Sequence, residues 1–324
     1  MAQPVLTPIT QALNEGVLTR RELKDLMRRS NWPAIKHLMI WVALLTATGS
    51  TVHLSLHTMW LVPAMILHGL IVVHHFSLQH ECCHYTVFAT RRLNDLMGHI
   101  CGFLTLVPYQ FFRYEHCDHH THTHLHGRDP ELIELPLSFW GYLKYLSAIP
   151  YWWGLSKALL LHSVGRISEH ELPFLPKETQ GTIILEARLY VLGYAVVAAL
   201  AAWYGSSFAL WFWVFPSLLA QPIMRAIRMT EHVGRPNVSD FKENTRTNLV
   251  SRPMQFLCWN MNYHAEHHYA SSVPFHALPK LHQKLNGFVH VEPRGYLGAH
   301  LDILAQIFGS RQRADQAPLS TEKG

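Results

Sequence analysis

Histidine, the residue that most often binds metals in proteins, is unusually frequent in this chain. The 324 residues include 25 histidines, more than the 22 aspartates and glutamates together. On a helix, residues three and four positions apart lie on one face, so a short histidine group directs its imidazoles one way. Three such groups supply eight imidazoles, enough for two metal ions. They are His80-Glu81-Cys82-Cys83-His84, His116-Cys117-Asp118-His119-His120 and His264-Ala265-Glu266-His267-His268.

A ninth histidine, His232, stands alone just beyond a long apolar stretch. A lone histidine is often only a surface residue, and that alternative stays open at this stage. Imidazole suits zinc, copper, iron and nickel. Structural zinc is normally bound by four ligands that usually include cysteine. Eight or nine histidines without cysteine in ligand spacing therefore argue against an ordinary zinc site and favour a site for two other ions, such as iron.

Several other classes are excluded by the motifs that the sequence lacks. The five cysteines form no CxxC or CxxCH motif, which excludes a disulfide scaffold, a zinc ribbon and a c-type haem site. Neither G-x-G-x-x-G nor the P-loop pattern occurs, so no nicotinamide, flavin or nucleotide site is predicted. The histidine groups are therefore the candidate site for chemistry in this sequence.

Two long charge-free stretches predict how the histidines are positioned. Charged residues make up 15% of the chain, against about 25% in a typical soluble domain. None occurs in the 44 residues from 37 to 80 or in the 36 residues from 189 to 224. A membrane-crossing helix needs about 20 apolar residues. Each stretch can therefore hold two spans, near 37–54, 59–78, 188–204 and 207–224. Tryptophans near their ends favour membrane spans over a pair of buried core helices.

All 27 lysines and arginines lie outside these stretches and hence on one side of both pairs of spans. The positive-inside rule predicts that this side, with both termini, is cytoplasmic. The histidine groups follow the second and fourth spans and emerge on the same side. Residues 96–112 are apolar as well, and we interpret them as a re-entrant or interfacial helix bent at Pro108.

The predicted fold class is therefore all-α and integral to the membrane. It has four transmembrane helices in two hairpins, with a cytoplasmic histidine-rich helical cap. We divide this single domain into five segments. These are a cytoplasmic segment at 1–36, a first hairpin at 37–78, an interfacial region with two histidine groups at 79–187, a second hairpin at 188–224 and a cytoplasmic region at 225–324.

Around these motifs the sequence resembles the integral-membrane fatty acid desaturase and hydroxylase superfamily, over about residues 37–290. The resemblance rests on the three histidine groups in order, on the two apolar pairs and on neighbouring residues. The latter are Asn94-Asp95 and Gly98 after the first group, Arg113 before the second, Asp129-Pro130 after it, and the string Trp259-Asn-Met-Asn-Tyr before the third.

The resemblance implies an oxygen-dependent enzyme with two non-haem iron ions that oxidises an unactivated C–H bond of a lipid. It also implies an external electron donor of the ferredoxin or cytochrome b5 type with its reductase, and no nucleic-acid partner. Some relatives carry an asparagine four residues before the isolated histidine, but here that position is Arg228, a cation that cannot bind a metal. The metal ligands that the resemblance implies are His80, His84, His116, His119, His120, His232, His264, His267 and His268.

Three functions remain open at this stage. The leading one is a desaturase that introduces a double bond into a fatty acyl or related lipid chain. The nearest alternative is a hydroxylase or ketolase on the same scaffold, and the other is a non-catalytic metal-binding membrane protein. The roles of some polar neighbours also stay open between contacts with the metal ligands and plain solvation, namely Glu81, Asp118, Glu266, His122, His124 and His126.

Overall fold

The computed structural model describes residues 12–315, and its side chains up to residue 309. The described chain is mostly helical, and it contains one parallel pair of very short strands. The helices are α1 (Arg20–Leu26), α2 (Asn31–Ser55), α3 (Leu61–Val73), α4 (His75–Cys83), α5 (Arg91–Thr105), α6 (Tyr109–His122), α7 (Phe139–Leu146), α8 (Ile149–Ser163), α9 (Lys177–Trp203), α10 (Phe215–His232), α11 (Phe241–Asn244), α12 (Arg252–Leu257), α13 (His264–Tyr269), α14 (Leu278–Lys284) and α15 (Gly295–Asp315). The strands are β1 (Thr247–Asn248) and β2 (Val291–Glu292).

Four helices are long and apolar enough to cross a membrane, as predicted. They are Asn31–Ser55, Leu61–Cys83, Lys177–Trp203 and Leu210–His232. The second consists of α3 and α4, and the fourth consists of a π-helical turn followed by α10. The third is longer than the predicted 188–204. Glu186 lies within this helix, and its buried carboxylate accepts the backbone N–H of Gln110 on another helix, so the helix extends beyond the charge-free stretch. The predicted hairpins and cytoplasmic cap remain predictions.

Packing between the apolar helices brings two histidine-bearing ends together. Helix α10 packs against α3, with Pro216 and Ala220 beside Gly69, and Met224 beside Val73 further along both helices. The two helices therefore run parallel, so α4, which follows α3 directly, and the carboxyl end of α10 carry His80 and His232 on the same side. Helix α9 packs instead against α8, and an apolar cavity of about 570 Å³ separates it from α10.

Residues 91–122 form two helices with a sharp turn between them, which agrees with the predicted bend. Helix α5 ends at Leu106, whose φ of 63° is left-handed, and α6 begins directly after Pro108. Glu186 of α9 accepts the backbone N–H of Gln110 at 3.0 Å. A carboxylate at a helix amino terminus is favourable for the helix dipole. The turn reverses the direction of the chain, so α6 brings the second histidine group close to the first.

The third histidine group lies on the short helix α13, within a compact region formed by the carboxyl-terminal third of the chain. Strands β1 and β2 pair in parallel, a small departure from the predicted all-α class. The hydroxyl of Thr247 on β1 donates to Glu266 on α13. Apolar side chains from α13 and α14, including Leu278 and Leu281, are fully buried beneath it. This packing fixes α13 against the ends of α4, α6 and α10.

We expect Gly69→Ala to destabilise the protein by about 1–3 kcal/mol, the usual cost of overpacking. A Cβ atom at Gly69 would overlap the carbonyl oxygen of Pro216 and lie 2.8 Å from the Cβ of Ala220. Small residues allow such close approach between membrane helices. The measurement is the free energy of unfolding in detergent micelles. The control is Gly154→Ala in α8, where a new Cβ meets nothing within 4 Å; equal effects of the two changes would contradict the packing argument.

Candidate metal centre

The nine predicted histidines converge in the structure into two neighbouring groups, although four separate parts of the sequence supply them. In each group the nitrogen atoms that could bind a metal lie within 4.8 Å of one another. The five-histidine cluster consists of His80, His84, His116, His120 and His267. The four-histidine cluster consists of His119, His232, His264 and His268.

Neighbouring residues belong to different clusters in two of the three groups. His119 belongs to the four-histidine cluster and His120 to the five-histidine cluster, and His268 and His267 are divided in the same way. Successive residues on a helix are rotated by about 100°. Two adjacent imidazoles therefore diverge, and α6 and α13 each contribute to both clusters.

The spacing of the imidazole nitrogens fits a metal ion in each cluster. The Nε2 atom of His120 lies 3.0 Å from the Nε2 atoms of both His116 and His267. In the other cluster, the Nε2 atom of His264 lies 2.9 Å from that of His232 and 3.1 Å from that of His268. Two nitrogens bound at about 2.1 Å and at right angles around an ion are about 3.0 Å apart.

Buried nitrogens without partners support the same interpretation. The Nε2 atoms of His80, His84 and His119 are buried and have no hydrogen-bond partner among the described residues. A buried polar atom without a partner is costly and calls for an explanation such as an ion. Imidazole is a good ligand for iron and related metals. The residues present thus fit two metal ions held by nitrogen.

In several of these rings, the Nδ1 atom contacts a carboxylate, a carbonyl or a hydroxyl group. A metal-binding histidine usually donates its other ring N–H to a carboxylate, a carbonyl or a water, which fixes the tautomer and the ring orientation. The Nδ1 contacts are His116 to Glu131 at 2.7 Å, His119 to Asp129 at 2.8 Å, His232 to the carbonyl of Asn244 at 3.2 Å and His268 to the hydroxyl of Thr123 at 3.2 Å.

Burial keeps most of these imidazoles in the neutral form that binds metals. Burial, and then neighbouring histidines, lowers the pKa of His116 and His120 well below the ordinary value. Burial and neighbouring histidines lower the pKa of His267 and His268 in the same way. Metal binding requires deprotonated imidazole, so these rings need to lose no proton at neutral pH.

His119 is the exception, and the cause is the pair of carboxylates beside it. Burial alone would lower the pKa of His119, but the charge of Glu131 and the hydrogen bond to Asp129 raise it overall. The pKa of Asp129 is correspondingly lowered: burial opposes the shift, but the hydrogen bond from His119 and the N–H of His124 outweigh it. Asp129 is therefore ionised at neutral pH and accepts hydrogen bonds from His119 and the backbone.

We expect Asp129→Asn to weaken metal binding by about 10–100-fold, the usual effect of losing such a partner. The substitution removes the negative charge that orients His119, while it retains the size of the side chain. Competition with a coloured chelator measures the affinity. The matched control is Asp118→Asn on α6, the helix that carries His119, because Asp118 contacts His122, which belongs to neither cluster. Equal affinities in the two variants would count against the role of Asp129.

The residues whose roles the sequence left open lie outside both clusters. His122 contacts Asp118 at 3.2 Å, His124 contacts the carbonyl of Pro236 at 2.9 Å, and His126 contacts Glu134 at 2.8 Å.

The carboxylates inside the histidine groups are divided in role. Glu81 is fully buried, with one oxygen 3.7 Å from the Nδ1 atom of His267. Glu266 accepts instead from His282 at 2.6 Å, so it orients a histidine outside the clusters.

We expect His126→Gln to leave activity within about twofold and metal content unchanged. His126 and Glu134 are largely exposed, and an exposed ion pair contributes about 0–1 kcal/mol. His120→Gln is the comparison from the same histidine-rich stretch, and it should inactivate the protein. Product formation and metal analysis of both variants test this. Complete inactivation by His126→Gln would show that the second histidine group was assigned incorrectly.

Sequence reasoning missed the carboxylates that follow the second histidine group. Asp129 and Glu131 contact His119 and His116, yet only the Asp129-Pro130 pair drew attention, and as part of a resemblance. The short distance of these two carboxylates from the second histidine group along the chain was the available signal. Arg228 was identified as a departure, and the structure shows its side chain buried between Glu131 and Glu231.

Four helices that are long and apolar enough to cross a membrane, together with two clusters of imidazoles that could each hold a metal ion, are typical of a helical membrane protein with a histidine-based metal site. Comparison with known families agrees: the family model described as "Fatty acid desaturase" matches residues 58–296. The matched region covers most of the chain and contains all nine histidines. The chain belongs to the fatty acid desaturase family.

Individual relatives are more distant. A fatty acid desaturase of Bacillus subtilis is 40% identical over 45 residues, which cover 14% of this chain and 13% of that protein. A fatty acid conjugase of Calendula officinalis is 23% identical, covering 62% of each chain. An sn-1 oleoyl-lipid 12-desaturase of Picosynechococcus is 21% identical, covering 83% of this chain and 82% of that protein. The chain thus spans less than two thirds of the first two relatives.

Proposed function

We propose that this protein is a membrane-bound desaturase that uses two iron ions and O₂ to introduce a double bond into a fatty acyl or related lipid chain. The observation that carries the proposal is the division of nine imidazoles, seven of them buried and those of His84 and His120 half-buried, into two adjacent clusters. Membership of the desaturase family supports it. Relatives named as a fatty acid conjugase and as an oleoyl-lipid desaturase point to an acyl substrate.

Each cluster would hold one iron ion, the first with five imidazoles and the second with four. When bound, the irons supply the activation of O₂ that oxidises an unactivated C–H bond. The protein's own part is to exclude water and to hold the ligands in one orientation. Glu131 and Asp129 do the latter by accepting from the Nδ1 atoms of His116 and His119.

A large apolar cavity offers a place for the substrate chain. It measures about 1170 Å³ and lies between α2, α3 and the π-helical turn that precedes α10. Its lining includes Val72 and His75, one to two helical turns before His80 in sequence. Pockets for small ligands commonly measure about 300–1,000 Å³. We infer that the acyl chain occupies this cavity, with the carbon atoms to be oxidised near the five-histidine cluster.

Electrons come, in this proposal, from a separate protein of the ferredoxin or cytochrome b5 type. The balanced reaction takes two hydrogens from the lipid, and two electrons with two protons from the donor side, to reduce O₂ to two waters. The basic surface, reflected in a net charge of +5, favours an acidic donor. We further propose that both termini and the metal centre face the cytoplasm, as the positive-inside rule predicts.

The test is a mass-spectrometric lipid analysis of a host with and without the protein. Loss of two hydrogens from an acyl chain is the expected result. Gain of one oxygen would instead identify a hydroxylase on the same scaffold. Elemental analysis of the purified protein is the second measurement, and two iron ions per chain are expected. Stoichiometric zinc from an iron-replete host, with no change in lipids, would support a non-catalytic metal-binding protein and end the proposal.

A further inference from the structure

The side chain of Arg228 lies at the junction of the two histidine clusters. It is on α10, one turn before His232, and it is buried with 8% of its surface exposed. Its guanidinium group has two carboxylate partners. The Nη2 atom lies 2.6 Å from the Oε2 atom of Glu131, and the Nη1 atom pairs with Glu231. An arginine thus occupies the centre of a buried three-residue ion network.

Each of the two carboxylates faces a histidine. Glu131 accepts the Nδ1–H of His116, a member of the five-histidine cluster, through its other oxygen. It also groups closely with His119 of the four-histidine cluster. The Oε2 atom of Glu231 lies 3.8 Å from the Nε2 atom of His264, again in the four-histidine cluster. Arg228 therefore connects the two clusters through one carboxylate on each side.

The chemistry of the network explains why an arginine stands here. Two carboxylates that share a buried position repel each other, and a guanidinium group between them offsets that repulsion. The guanidinium group is planar and presents its N–H donors in a rigid fork, whereas a lysine ammonium is a point charge. The fork holds Glu131 on one nitrogen and Glu231 on another, so the two carboxylates keep a fixed separation.

We propose that Arg228 is a positioning residue of the metal centre. It fixes Glu131, and through Glu131 the orientation of His116, and it keeps the carboxylate of Glu231 beside the metal-facing nitrogen of His264. The inference rests on the proposed two-iron function. Arg228 binds no metal and no substrate in this scheme; its effect on the ions is transmitted by the two carboxylates.

The experiment compares purified full-length variants for iron content, for the rate of iron release to a chelator and for the Mössbauer spectrum. Arg228→Gln should release iron about 10-fold faster or more, in line with the loss of groups that orient ligands, and should alter the spectrum. Arg228→Lys keeps the charge and should show a smaller change in the same direction. Glu131→Gln should mainly affect the iron of the five-histidine cluster, because His116 loses its charged acceptor.

The matched control is Arg225→Gln. Arg225 is on the same helix and equally buried at 8% exposure, but it stacks on the ring of Tyr151 at 3.9 Å. It should retain two irons with the release rate and spectrum of the unmodified protein. The positioning role is overturned if Arg228→Lys and Glu131→Gln both show the iron content, release rate and spectrum of the unmodified protein. These two variants decide the question even if Arg228→Gln fails to fold. Unmodified protein without iron would count against the proposed function itself.

Discussion

His267→Ala is expected to remove one of the two proposed iron ions and to lower product formation by at least about 100-fold. Loss of a partner that merely orients a ligand already costs about 10–100-fold, and His267 is a member of the five-histidine cluster itself. Its ring lies 4.6 Å from that of His80 and 4.7 Å from that of His84, between centroids. Iron content and lipid products of the purified variant are the measurements.

His268→Ala provides the most informative comparison, because adjacent residues serve different clusters. It should also leave one iron, but in the five-histidine cluster, so the Mössbauer spectra of the two variants should differ. His126→Gln is the control for general effects of histidine loss. Two irons and full activity in either alanine variant would show that the ligand assignment is incorrect.

The second large effect concerns the apolar cavity. Gly49→Trp is expected to lower turnover of long acyl chains by about 30-fold while both irons remain. A Cβ atom at Gly49 would lie 3.6 Å from His68 and 3.9 Å from Phe212, and all three residues line the cavity. An indole that displaces two to three methylenes removes about 2 kcal/mol of binding, at about 0.8 kcal/mol each. Turnover of acyl chains of different length measures the effect.

Ala47→Trp is the matched control on the same helix, two residues away on the exposed face. It adds the same side chain without entering the cavity, and activity should stay close to that of the unmodified protein. A selective loss with long chains is expected for Gly49→Trp. Equal activity of both variants on every chain length would place the substrate elsewhere.

Much of the fold follows from local composition. The charge-free stretches predict four apolar helices because a membrane helix needs a long segment without charge, and four such helices are present. Helix α9 begins at Lys177, well before the predicted span at 188–204. A rule that counts charges along the chain cannot register a buried carboxylate that accepts the N–H groups of Gln110 and Phe111 on another helix.

Sequence order predicts the packing of α2 on α3, but it does not predict the partner of α10. Helix α10 packs on α3 rather than on α9, which precedes it. The contact depends on Gly69, whose missing side chain lets two backbones approach across a long sequence separation. Periodicity in a single helix shows which residues share a face, but it does not identify the helix that will cover that face.

The sequence by itself determined the chemistry available to this protein. Histidines repeat at three- and four-residue spacing, which is a local property of the helix, and the apolar stretches indicate where those helices end. Only the tertiary structure decided how nine imidazoles are divided into five and four, and that Glu131 and Glu231 meet Arg228 between them. Arg228 and Glu131 are 97 positions apart, and His120 and His267 are 147 positions apart. These contacts depend on how whole helices pack, and no short-range pattern encodes that packing.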